Sequence, residues 1–188
     1  MIYKCFGGKR VLFSYFLFLF VIQSNAQTQL VDKPNKNLQR LTFGLGHTSI
    51  SNGEINGKTT WLPLASWSLN YDYWLNNKWA VGLQSDLILE TFLVKQKSGN
   101  SIERKNPVAV VPVTMYRLSN HWVGIVGAGV EFSKGHNLGL TRLGIEYGVH
   151  LPKNWEVGAA LVWDNKWNYY NSWGIAFTCS KLFNNTLH

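Results

Sequence analysis

Residues 139–164 read GLTRLGIEYGVHLPKNWEVGAALVWD. Two alternating segments meet in that stretch at a short turn. Before the turn, Leu143, Ile145, Tyr147, Val149 and Leu151 alternate with Arg142, Gly144, Glu146, Gly148 and His150. After it, Trp155, Val157, Leu161 and Trp163 alternate with Glu156, Gly158, Ala160 and Asp164. A period of two marks β-strands whose faces meet different surroundings. Here one face is large and apolar, and the other is small or charged.

The turn itself recurs. LNNKWAVG (75–82), LSNHWVGI (118–125) and LPKNWEVG (151–158) each place a Leu, three residues, then a Trp. Each Leu lies on the apolar face of the strand that ends, and each Trp opens the apolar face of the strand that follows. Reading outward from these turns gives eight strands: Arg40–Ile50, Thr60–Leu75, Trp79–Val94, Pro107–Leu118, Trp122–Phe132, Gly139–Leu151, Trp155–Asp164 and Ser172–Phe183. The fourth is apolar on both faces, so its parity is open. Long connections (51–59, 95–106, 133–138, 165–171) alternate with the short turns. That is the asymmetry expected of an outer-membrane barrel with tight periplasmic turns and longer external loops.

The two faces decide between lipid and water. A soluble, lipocalin-like barrel would enclose the apolar face and show water a face rich in Lys, Glu, Thr and Gln. The second face here is rich in Gly, Ala and Ser with sparse charges, which suits the cramped bore of eight strands. Charged residues are 15% of the chain and aromatics 14%, with nine Trp. Beyond residue 26 no window approaches 18 consecutive apolar residues, which excludes a helical span and leaves a closed barrel as the way to cross a bilayer. The fold expected is all-β, an eight-stranded antiparallel up-and-down transmembrane barrel over residues 40–183.

Residues 1–26 read as a cleaved secretory signal. Lys4, Lys9 and Arg10 precede the apolar run 11–22, and Ser24-Asn25-Ala26 offers a cleavage site. Its removal takes three of the 18 basic residues and none of the 10 acidic ones, leaving 15 against 10 and a net charge of +5. Cys179 then stands alone, so no internal disulfide is expected. Residues 27–39 read as a periplasmic tail and 184–188 as a C-terminal tail.

With these strands the chain resembles the small eight-stranded outer-membrane barrels of the OmpA/OmpX type. The closing segment WGIAFTCSKLF (173–183) resembles the terminal strand of that class, which ends in Phe and is read by the barrel-assembly machinery. The resemblance implies residence in the outer membrane, and with no further domain after residue 183 no periplasmic module is expected. Contacts with lipid and lipopolysaccharide are expected, and a monomer.

The candidate sites follow from the parity. Trp79, Trp122 and Trp155, with Tyr71, Tyr73 and Tyr147, form an aromatic belt. Asp86, Glu131, Arg142 and Glu146 belong to a charge network in the lumen. Counting equally from the turns on either side predicts a Glu131–Arg142 pair, with Glu146 one step lower. The loops carry Lys58, Lys95, Lys97, Arg104, Lys105, Lys134 and Lys166 against Glu54 and Glu103, a set able to meet lipopolysaccharide phosphates. Trp167, Tyr169 and Tyr170 in the fourth loop are expected in an outer interface belt. An enzymatic alternative rests on His47 and Ser49, similar to the His-x-Ser-Asn motif of outer-membrane lipid A deacylases, although Ile50 follows the Ser here. His121, His136 and His150 show no metal-ligand spacing. No cofactor and no nucleic-acid partner is expected. The function expected is non-enzymatic, in a structural, surface-interaction or small-solute role.

Overall fold

The computed structural model describes residues 37–55, 58–95 and 101–184; residues 1–26 of the expected signal, 27–36 of the tail, and 185–188 lie outside the described residues. The strands are β1 (Leu38–Ile55), β2 (Lys58–Trp74), β3 (Trp79–Ile88), β4 (Thr91–Lys95), β5 (Ser101–Lys105), β6 (Val108–Arg117), β7 (Trp122–Phe132), β8 (Leu138–Leu151), β9 (Trp155–Lys166) and β10 (Tyr170–Asn184). All but β4 and β5 form the barrel wall. Each pairs antiparallel with its neighbours, and β10 returns to β1 from Leu38↔Asn184 to Ile50↔Ser172. Closure leaves no free edge in the wall.

The turns pin the register by their side chains. Asn76 Oδ1 accepts the amides of Lys78 at 2.8 Å and Trp79 at 2.9 Å. Ser119 Oγ takes the corresponding amides of His121 at 3.4 Å and Trp122 at 3.3 Å. In both turns the Leu amide donates to the Trp carbonyl at 2.9 Å. Asn and Ser favour such local bonds, which explains their shared position. Pro152 has no place in that scheme, and the third turn closes through Lys153 and Asn154 at φ of about 62° and 61°.

The apolar face points outward. Trp79, Trp122 and Trp155 are exposed, as are Leu41, Phe43, Leu69, Leu83, Leu143, Leu161, Ile175 and Phe177. The inward face holds Thr42, Ser66, Ser68, Thr178 and Ser180 on β1, β2 and β10, as the parity predicts. β6 resolves the one open strand. Ala109, Val111, Val113 and Met115 are buried inside, and with Val123, Ile125 and Leu140 they make an apolar wall along one side of the bore. The bore is thus part polar and part aliphatic, where small residues and charges were expected throughout.

The third strand also departs from expectation. Its barrel portion ends at Ile88, and the chain turns away through Leu89 and Glu90 into the β4–β5 hairpin. Val94 pairs with Gly53 on β1, so the hairpin crosses from the β3 side of the mouth to the β1 side. Ile88, Phe92 and Val94 share one parity and join Ile50, Leu64, Leu138 and Tyr170 in a second apolar cluster. Burying those three side chains over the mouth is the physical reason the strand leaves the wall.

Candidate functional site: the charged bore

Two ion-pair clusters fill the polar side of the bore. At the end carrying the short turns, one guanidinium serves three carboxylates. Arg40 lies 2.8 Å from Asp72 Oδ2, 2.9 Å from Glu146 Oε1 and 2.8 Å from Glu156 Oε1. Glu146 binds it through both oxygens. Gly82 lies tight against this cluster: a Cβ there would come within 3.0 Å of both Asp72 Oδ1 and the Tyr71 carbonyl. Beneath lies an apolar floor of Leu38, Trp74 and Leu182, with the Arg117 guanidinium 4.2 Å above the Trp74 ring.

Nearer the loop end, three cations and three carboxylates form an unbroken chain. Arg104 binds Glu131 at 2.6 Å, Lys166 bridges Glu131 at 3.6 Å and Asp164 at 3.2 Å, and Arg142 joins Asp164 at 2.8 Å to Asp86 at 2.6 Å. Tyr170 donates its hydroxyl to Glu131 at 2.5 Å, and Gln84 accepts from Arg142 at 3.1 Å. A cavity of about 50 Å³ remains between the ion pairs and the aliphatic wall, lined in part by Ser66, Ser68, Gln84 and Asp86 and by Ala109 and Ile125. That is room for water molecules and little else.

Asp86, Glu131, Arg142 and Glu146 therefore all face the bore, but the Glu131–Arg142 pair does not form. Trp122 faces Tyr147, not Leu151, so the strands are staggered and equal counts from the turns do not meet. In this register Glu131 opposes Leu138 and Arg142 opposes Gly127. Glu131 takes Arg104, Arg142 takes Asp86 and Asp164, and Glu146 takes Arg40.

The loop assignments need correction as well. Arg104 is fully buried and Lys166 nearly so. Both belong to the plug because the β4–β5 hairpin folds inward and β9 runs two residues past its expected end. Tyr170 is buried for the same reason at the start of β10, while Tyr169 packs against the roof cluster. Trp167 stays exposed, lies over Gly139 and donates its indole N–H to Thr141 at 2.9 Å. Lys58, Lys95, Lys105 and Lys134 are exposed at the loop end, and Lys97 lies outside the described residues.

Outside the wall, Trp79 packs on Tyr116 at 4.7 Å and Trp122 on Tyr147 at 4.9 Å, and Lys181 covers Trp155 at 4.9 Å. Tyr71 is exposed and Tyr73 half-buried, its hydroxyl donating to Asn37 at 3.0 Å. A second aromatic level comprises Trp163 and Trp173, 6.5 Å apart, with Phe132 on β7. Strand rise and tilt put the two levels roughly 20–25 Å apart, the height of an outer-membrane apolar band.

Among solved structures the chain aligns with Ail, the attachment invasion locus protein of Yersinia pestis, in complex with the heparin analogue sucrose octasulfate. The TM-score is 0.50 at 13% identity, covering 79% of this chain and 99% of that one. A second Ail structure gives 0.50 at 15% identity over 79% and 99%. This chain has the fold of a small eight-stranded outer-membrane β-barrel. The barrel of Neisserial surface protein A aligns more loosely, with a TM-score of 0.44 at 9% identity over 81% and 100%. No family model and no curated protein matches the sequence.

The outward Trp side chains also remove the lipocalin-like alternative, which would enclose them. His47 and Ser49 of this barrel both lie on the outward side of β1, and no hydrogen bond joins them to each other. Among the described residues no cluster of three His, Cys, Asp or Glu is arranged to hold a metal.

Proposed function

We propose that this protein resides in the outer membrane as a closed, non-conducting barrel that acts through structure and surface contacts. The observation carrying this reading is the bore. Two ion-pair clusters, an aliphatic wall and the β4–β5 roof occupy it from end to end. An apolar exterior between two aromatic levels supports lipid as its surroundings. The short turns then face the periplasm, with Trp79, Trp122, Trp155, Tyr71, Tyr73 and Tyr147 as the belt at that boundary. The signal at 1–26 is cleaved on export, and the closing strand engages the assembly machinery. The barrel works as a monomer without enzymatic activity.

The partners proposed at the outer surface are lipid and lipopolysaccharide, through Lys58, Lys95, Lys105 and Lys134. Ail, of the same fold, has been crystallised with a polysulfated sugar, and phosphate and sulfate groups ask for the same charge-assisted donors. One preparation tests both halves of this reading. Folded protein in planar bilayers shows no conductance steps above leak, and its lipopolysaccharide binding falls when the four lysines become Gln. Discrete steps contradict the closed bore; unchanged binding contradicts the lysine surface.

A further inference from the structure

The two halves of the plug differ in formal charge. Toward the loops, Arg104, Arg142 and Lys166 match Asp86, Glu131 and Asp164 one for one. Toward the turns, Arg40 binds three carboxylates, Asp72, Glu146 and Glu156, and Arg117 lines the same small cavity as Glu146 and Glu156. A buried cluster left one charge out of balance is costly. Asp72 Oδ1 and, in the loop half, Asp86 Oδ2 are both buried without a hydrogen-bond partner, but Asp86 Oδ2 has the Arg142 guanidinium at 2.6 Å and Asp72 Oδ1 has no such ion pair.

We propose that one proton, held on the His150–Glu156 pair, completes this half of the plug and makes its stability follow the pH at the turn end. His150 Nε2 lies 3.1 Å from Glu156 Oε2, while Oε1 of the same carboxylate is held by Arg40. The imidazole is about half exposed, so its proton exchanges freely with solvent. The third positive charge then comes from an imidazolium, and both halves balance. A metal cation is a poor substitute. The adjoining cavity measures about 20 Å³, close to the minimum for one water. Both oxygens of Glu146 and of Glu156 are already engaged.

The groups facing His150 come from every neighbouring element: Glu146 on β8, Glu156 on β9, Arg40 and Asp72 through the cluster, Arg117 on β6, and His121 in the β6–β7 turn. The His121 ring is tied to the Gly148 carbonyl at 3.0 Å. Lys153 and Lys181 sit at the same turn, joined by a bond from Lys181 Nζ to the Lys153 carbonyl at 2.7 Å.

The test is the folding equilibrium of the whole chain in phospholipid vesicles, measured with urea at about pH 5.5 and about pH 8.5, on either side of the ordinary imidazole range. Wild type is expected to be more stable at the lower pH. His150→Gln loses that gain, on the order of tenfold in the equilibrium, while His121→Gln keeps it. His150→Lys, permanently charged, reaches at pH 8.5 the stability wild type shows only at pH 5.5. The proposal is overturned if His150→Gln keeps the wild-type pH dependence, or if His150→Lys is no more stable than wild type at pH 8.5. If the Gln variant fails to fold, the Lys variant decides alone.

Discussion

Replacing Arg40 with Ala is expected to destabilise the folded barrel by about 3–5 kcal/mol, a large part of an ordinary folding free energy. Arg40 is buried and donates to Asp72, Glu146 and Glu156 at once. Its removal leaves three carboxylates facing one another, with the half-buried Arg117 and the half-exposed His150 at the edge of the cluster. Losing a surface ion pair would cost about 0–1 kcal/mol, so the two situations are well separated in size. Urea unfolding in lipid vesicles reads the difference. Adding Glu146→Gln to the Arg40→Ala background should restore part of the loss, since the two residues are directly bonded and their effects will not add. A loss below about 1 kcal/mol, or strict additivity of the pair, would show that the cluster does not hold the wall together.

The second large effect lies on the opposite face. Phe177 is well exposed on β10 and lies midway between Trp173 at the outer aromatic level and Lys181, which pairs with Trp155 at the inner one. An Arg placed there would stand in hydrocarbon, at a cost of about 2–4 kcal/mol near the midplane. The same exposed position on a water-soluble barrel would tolerate Arg within about 0.5 kcal/mol. Phe177→Arg is therefore expected to fold poorly into vesicles, while Lys58→Arg at the loop end leaves folding unchanged. Equal folding of the two variants would argue that β10 does not face lipid.

The outline of the barrel was legible in the sequence because three separate turns report the same parity. Leu75, Leu118 and Leu151, with Trp79, Trp122 and Trp155, each tie an apolar face to a turn, so a slip in one strand would contradict its neighbours. β6 lacked this signal. Its Val110, Val111 and Val113 suit lipid and an aliphatic wall equally well, and only the partners Val123 and Ile125 decide which of them turn inward.

Pairings inside the bore were harder to read, for a geometric reason. Which charges meet depends on the stagger between tilted strands, and no residue encodes that stagger locally. The observed Trp122↔Tyr147 register moved Glu131 away from Arg142 and toward Arg104. Lys166 and Tyr170 could have been placed by carrying the alternation of Asp164 and Ser172 two residues further. Arg104 could not, since its burial depends on a hairpin that leaves the wall. The signal for that hairpin was present but weak: Ile88, Phe92 and Val94 are apolar on the parity assigned to the bore.

Cys179 is exposed on the outward face of β10, beside the buried, inward-facing Thr178, and this pair tests the central claim most directly. A fluorophore is attached at Cys179, or at Thr178→Cys in a Cys179→Ser background, and the barrel is folded into vesicles whose acyl chains carry bromine. The account predicts strong quenching from position 179 and little from 178. Equal quenching at both positions, or none at 179, would contradict it.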